Sequence, residues 1–158
     1  MGHFCISMTG IARLIVRVLL GFSLGWGTSA GAVDIIVNRG VSISTVSQQR
    51  VRAMFAMKLL QWPDGQQVRV FVLADDVPLH RTFSKEVLGA YPYQLRQTWD
   101  RLVYSGTGQA PTEVGSEAEM LKRVARTPGA LGYARHAQPG DRVRILSVDN
   151  FVRVISAE

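Results

Sequence analysis

Apolar positions recur along this chain in two alternating rhythms. Short β-branched runs are followed by stretches in which apolar side chains return every third or fourth residue, as on one face of a helix. Val33-Asp34-Ile35-Ile36-Val37-Asn38 is the first run, and Arg39-Gly40 ends it. Thr45 with Gln48 then makes a capping-box pattern ahead of Val51, Met54, Phe55 and Leu59, which share a face, so the spacing predicts a helix over 46–57. Trp62-Pro63-Asp64-Gly65 reads as a turn, with Pro presetting φ, Gly accepting the left-handed conformation and Trp62 anchoring the turn against the core. Val68-Arg69-Val70-Phe71-Val72-Leu73 is nearly all apolar, as expected of a strand covered on both faces, and belongs at the centre of a sheet.

The alternation continues. Asp75-Asp76-Val77-Pro78 has the form of a helix start, its acids near the positive dipole end and its Pro in the first turn. Leu79, Phe83 and Val87 form the stripe of that helix, and Gly89 ends it. Leu95, Trp99, Leu102 and Val103 mark the next helix, which runs into a glycine-rich loop, Ser105-Gly106-Thr107-Gly108. Ser116 with Glu119 is a second capping box, followed by Met120, Leu121, Val124 and Ala125 on one face and by Thr127-Pro128-Gly129 as the stop. Ala130 to Ala134 is a short buried strand in which Gly132 lets a neighbouring segment come close to the main chain. Residues 143–148 and 151–155 are two further strands around Asp149-Asn150. Strands alternating with helices and closed by strands predict an α/β fold, a sandwich built on a mixed, mostly parallel sheet.

The first 32 residues follow a different pattern. Arg13 and Arg17 are their only formally charged side chains, Val18-Leu19-Leu20-Gly21-Phe22 is an apolar run, and Ala30-Gly31-Ala32 is the small-x-small pattern of a cleavage site. Glycines and Ser23, Thr28 and Ser29 interrupt the apolar run short of the roughly 20 residues of a spanning helix. Residues 1–32 therefore read as a Sec-type signal peptide, which implies a periplasmic protein, and 33–158 as one domain of 126 residues. The single cysteine, Cys5, leaves with the signal, so disulfides and thiol chemistry are excluded from the remainder. Losing Arg13 and Arg17 from 18 basic against 12 acidic residues leaves a net charge of +4. The arginines are scattered singly, which argues against a nucleic-acid partner.

Few residues point to chemistry. No G-x-S-x-G elbow is present, and His80 and His136 lack the company that a zinc site needs, so the sequence predicts no enzyme, no metal and no cofactor, with the histidines at the surface or as caps. Asp75 and Asp76 are expected to complement a helix dipole, not to form an acid-base pair. Ser105 to Gly108 has two readings: successive N–H groups able to cradle an anion, or a sharp turn after a helix. Trp62 and Trp99 are expected in the core.

The series Val51-Arg52-Ala53-Met54-Phe55, Trp62-x-Asp64-Gly65, Phe83, Trp99, Tyr104-Ser105-Gly106 with Pro111, and Pro128-Gly129-Ala130-Leu131-Gly132-Tyr133 resembles the second lobe of the substrate-binding proteins of phosphate ABC transporters. The resemblance covers about residues 35–134 and implies a three-layer α/β sandwich like one lobe of a type 2 periplasmic binding protein. It implies a small anion such as phosphate as ligand, with Arg81, Ser105, Gly106, Thr107 and Gly108 as candidate contacts. An accessory protein of the envelope that keeps the fold and binds a protein partner is the alternative. The chain departs from the family pattern at the ligand loop, where Leu73-Ala74-Asp75-Asp76-Val77-Pro78 replaces a glycine- and hydroxyl-rich stretch after an arginine. Its length suits one lobe, whereas the family closes two over the anion.

Overall fold

A computed structural model describes residues 33–135, 137 and 142–149. The expected signal peptide, the strand expected over 151–155 and His136 lie outside these residues. Among the described residues six strands and four helices follow one another: β1 (Val33–Asn38), β2 (Thr45–Ser47), α1 (Gln48–Phe55), β3 (Arg69–Leu73), α2 (Pro78–Phe83) continued by a π turn (Ser84–Leu88), α3 (Pro92–Tyr104), β4 (Thr112–Val114), α4 (Glu117–Arg126), β5 (Ala130–Arg135) and β6 (Val143–Asp149).

The strands form one sheet in the order β2-β6-β1-β5-β3-β4. The β2/β6, β3/β4 and β3/β5 pairs are parallel, while β1 is antiparallel to both β5 and β6. Five strands therefore run one way and β1 alone runs back between them, giving the mixed α/β sheet expected. β3 lies inside the sheet between β5 and β4, although β1 and β5 hold its middle.

Neighbouring residues of β5 show the layering. Gly132 faces α4, where a Cβ would stand 2.7 Å from Met120 Sδ and 3.0 Å from Val124 Cγ2. The next residue, Tyr133, points to the opposite face, where its ring stacks on Phe83 (centroids 3.9 Å apart, planes 8° apart) and lies 6.0 Å from Phe55. Helices thus cover both faces, and the sandwich has three layers. On the Tyr133 side Trp99, 1 % exposed, donates its indole N–H to the Phe55 carbonyl at 2.8 Å and so ties α3 to α1. Trp62 is buried too and donates to the Gly129 carbonyl at 3.0 Å, which also accepts Arg69 N–H at 3.1 Å. Gly129 has φ +70°, and a Cβ there would lie 2.0 Å from the Gln67 carbonyl oxygen, so only glycine fits this junction of turn, strand and helix stop.

Several elements differ from the sequence expectation. The segment 45–47 is a strand beside β6, and α1 starts after it with Ser47 as cap, its Oγ accepting from Arg50 N–H. β4, three residues long, was not foreseen. In α2 the hydrogen bonding lengthens to i→i+5 at Ser84, whose carbonyl accepts from Gly89 N–H, and Leu88 replaces Val87 as the fully buried position of the stripe. Gly89, at φ +62°, ends the segment as expected. Val103, expected on the apolar face of α3, is 49 % exposed.

Candidate functional site

In sheets of parallel strands, ligands bind beyond the carboxyl ends, where the following loops and helices begin. Here that edge carries the Ala74–Val77 loop after β3 and the Gly115-Ser116 turn after β4. The two strands are in register, with Val72 opposite Glu113, so their exits lie side by side.

Arg96, one turn into α3, reaches across to this edge. Its Nε donates to Asp75 Oδ2 at 3.1 Å and its Nη2 to Asp75 Oδ1 at 3.0 Å, a bidentate pair, and Nη2 also donates to Glu113 Oε2 at 3.1 Å. The guanidinium lies 5.4 Å from the Trp99 ring. Its hydrogen bonds to Asp75, more than those to Glu113, raise its pKa above the ordinary value. Asp75 and Arg96 are each a little over one third exposed, so the pair adds modestly to stability.

Beneath this exposed pair lies a buried one. His80 is 0 % exposed, which corrects the expectation of a surface or capping histidine. The i+4 spacing that places Ser84 under it, together with the apolar Leu79 and Phe83 around it, was the available signal. Its Nδ1 stands 2.6 Å from Tyr133 Oη, and its Nε2 stands 3.6 Å from Asp75 Oδ1 and 3.5 Å from Ser84 Oγ. Tyr133 Oη in turn accepts the Leu73 N–H at 2.8 Å. Burial lowers the pKa of His80 despite the opposing charge of Asp75, so the imidazole is neutral. A carboxylate only accepts, which assigns the single ring proton to Nε2 and leaves Nδ1 to accept the tyrosine O–H. Burial pushes the Tyr133 hydroxyl pKa well up, keeping that proton in place. One chain of contacts thus runs from Glu113 through Arg96, Asp75, His80 and Tyr133 to the backbone of β3.

Asp75 is therefore a partner of Arg96 and not a complement to a helix dipole. α2 begins with Val77 as cap, without a side-chain hydrogen bond and with no acid in its first turn. Beside it, α4 satisfies its own start: Ser116 Oγ accepts Glu119 N–H at 3.2 Å, and Glu119 Oε2 accepts Gly115 N–H at 3.0 Å. Glu117 accepts the Arg135 N–H. Carboxylates occupy the places at this edge where an incoming anion would look for donors.

The residues singled out as ligand contacts are not brought together. Arg81, on α2, is exposed and donates to the Asp76 carbonyl. Ser105 to Gly108 close the far end of α3, roughly 13 Å along that helix from Arg96. Their N–H groups are spent there: Ser105 donates to Arg101 O, Gly106 to Val103 O, and Thr107 and Gly108 to Leu102 O, while the Ser105 and Thr107 hydroxyls bond each other at 2.7 Å. The loop has the geometry of a helix stop, with Gly106 at φ +68°. It leads into β4 from the amino-terminal edge of the parallel strands, beside a groove of about 510 Å³ lined by Met57, Leu60, Val68, Phe71 and Pro111 among others. Among the described residues no group of histidine, cysteine and acids could hold a metal ion, and no helix is long and apolar enough to cross a membrane.

No protein-family model matches the sequence, and no curated protein matches it in sequence. Solved structures do match the fold. An ABC-type phosphate transport receptor from Vibrio cholerae superimposes with a TM-score of 0.57 at 12 % identity over 73 % of this chain and 45 % of that one. PstS from Borrelia burgdorferi gives 0.58 at 12 % identity over 75 % and 47 %. A structure from Clostridium perfringens with bound phosphate gives 0.57 at 12 % identity over 73 % and 44 %. The chain spans less than half the length of the structures it matches, and what it shares with these phosphate transport proteins is the α/β fold of a periplasmic binding protein.

Proposed function

We propose that this chain is a periplasmic substrate-binding-protein-like module related to phosphate ABC transport, exported by its signal peptide, that acts by binding without catalysis and holds free phosphate no tighter than about millimolar. The fold likeness supports the module. The observation that carries the weak affinity is the bidentate Asp75–Arg96 pair with Glu113 alongside: the cation at the strand exits is already engaged by two carboxylates. Pro78 removes a further backbone donor at the start of α2. Calorimetry with inorganic phosphate on the purified protein tests the reading. A 1:1 isotherm in the micromolar range refutes it and makes Arg81, Ser105 and Thr107, with the Gly106 and Gly108 amides, the donors to substitute next.

The alternative, an envelope accessory protein that keeps the fold and binds a protein partner, draws on one feature. Tyr91 and Tyr93 stack in the open with centroids 5.9 Å apart, and the Lys85 ammonium lies 5.9 Å from the Tyr91 ring. Exposed aromatics of this kind are enriched at protein interfaces.

A further inference from the structure

Asp75 Oδ1 is claimed from two sides. Arg96 Nη2 donates to it at 3.0 Å from the solvent side, and His80 Nε2 approaches it at 3.6 Å from the core. With His80 neutral, the arginine holds the shorter contact. From this sharing the geometry points to a gated anion site, in which Arg96 is the contact for a small oxyanion, sealed by Asp75 and unsealed when His80 takes up a proton. The inference rests on the small-anion reading above and names the residue and the condition that reading leaves open.

The proton balance is simple. A proton added at Nδ1 makes both ring nitrogens donors. Nδ1–H then donates to Tyr133 Oη, which keeps the Leu73 N–H as its other donor and turns its own hydroxyl proton away. Nε2–H, now part of a buried cation, has Asp75 as its nearest carboxylate. A cation without solvent draws a carboxylate more strongly than one that is about a third exposed, because water screens the second. Asp75 shortens its contact to His80 and loosens its grip on Arg96. The donors released at Nε and Nη2 are the two that lay parallel toward a carboxylate, a geometry that equally suits sulfate or phosphate.

Five charged and polar groups act on His80, from the loop before its helix and from four other elements. They are Asp75 from the β3–α2 loop, Arg96 from α3, Glu113 from β4, Tyr133 from β5 and Ser84 from the π turn. Asp75 and Glu113 favour protonation, while burial and Arg96 oppose it, with burial the largest effect, so the site is sealed near neutrality and opens in acid. Glu113 stays on Arg96 in either state, so the gain is partial.

Sulfate is the probe, because its charge is constant across the range in which a histidine titrates, about pH 5 to 8. Sulfate affinity of the full chain is expected to rise about tenfold from the upper to the lower end of that range, the equivalent of one charge-assisted hydrogen bond. His80→Asn, which keeps an acceptor for the tyrosine hydroxyl, should abolish the rise. Asp75→Asn should bind at the acid level throughout, and Arg96→Gln should bind at neither end. In the parent protein the Arg96 Nε–H resonance should move with the titration of His80, a measurement that needs no variant to fold. Sulfate binding that ignores Arg96→Gln, or an acid gain that survives His80→Asn, overturns the gate while leaving the small-anion reading in place. An Arg96 resonance indifferent to the His80 titration overturns the gate as well. Absence of sulfate and phosphate binding in every protein, Asp75→Asn included, overturns the gate and with it a small anion as the ligand of this module, and favours the protein-partner alternative.

Discussion

Removing one oxygen tests how the buried part of the site is held. Tyr133→Phe leaves the ring stack on Phe83 and deletes only Oη, which accepts the Leu73 N–H at 2.8 Å and meets His80 Nδ1 at 2.6 Å. Both partners are buried. Each polar group left unpaired in such a place costs about 1–3 kcal/mol, while the hydroxyl's own burial cost, about 1 kcal/mol, is returned. The net loss is about 1–5 kcal/mol, and its middle corresponds to a drop in Tm of roughly 10 °C for a domain of this size. Denaturant unfolding of the parent and the variant measures it, with Tyr104→Phe as control, since Tyr104 is 89 % exposed and should change nothing. A double-mutant cycle with His80→Phe should return a coupling of about 0.5–3 kcal/mol. A Tyr133→Phe protein within about 0.5 kcal/mol of the parent would mean that the hydroxyl is not the acceptor for β3, and the assignment of the imidazole proton would go with it.

Trp99→Ala removes a fully buried indole and orphans the Phe55 carbonyl, so unfolding assays should register a loss of about 3–5 kcal/mol. Gly132→Val and Gly129→Ala should both cut the yield of folded protein, the first by driving into Met120 and Val124 and the second by a 2.0 Å clash with the Gln67 carbonyl at φ +70°; soluble, parent-like melting of either would show the space to be there. His80 has a lowered pKa in the folded state, so below its ordinary value of 6.5 the unfolded chain binds the proton first and stability falls as pH drops toward the lowered value, then levels off. Asp64 and Glu119 also have lowered pKa values, but their loss begins only below 3.8 and 4.5, so a difference between parent and His80→Asn between about pH 6.5 and 5 belongs to the histidine. Parallel stability curves for the two proteins across that window would contradict the buried neutral imidazole.

What could be read from the sequence follows from which signals are local. Val33–Asn38, Arg69–Leu73 and Ala130–Arg135 announce themselves because a strand enclosed by helices must be apolar on both faces. Ser116 with Glu119 marks α4 because capping is settled within one turn. β2 and β4 are three residues each, too short for an alternation to register, and both exist because a longer neighbour, β6 or β3, offers them a ladder. The antiparallel run of β1 has no local signature at all. The site divides in the same way. Asp75 was visible as an acid near a helix start, but its partner is 21 residues away on another helix, and nothing in the intervening pattern selects Arg96 over the other scattered arginines. His80 looked like a solitary histidine because its partners lie 53 residues on, in Tyr133, and one helical turn on, in a serine that is itself buried.

The glycine loop and the acidic loop show how far a shared fold constrains binding. The fold puts the strand exits, with their loops and helix starts, at one edge, and that much is a matter of backbone. Whether the edge attracts an anion is decided by a handful of side chains. Ser105 to Gly108 have the composition of a phosphate cradle, yet they follow a helix instead of preceding one, so their N–H groups are consumed by the carbonyls of α3 at the negative end of its dipole. The Ala74–Val77 loop has the right position, yet it carries two carboxylates. Adjacent like charges about 4 Å apart repel by about 1 kcal/mol in water and about 4 kcal/mol at an effective dielectric near 20, and a doubly charged phosphate entering beside Asp76 and Glu113 meets repulsion of that order from each. Arg96 offsets part of this only if Asp75 lets go of it. Affinity at this edge is therefore set by competition for one guanidinium, with the protein's own carboxylate as the standing competitor, and the buried imidazole is the group placed to shift the balance.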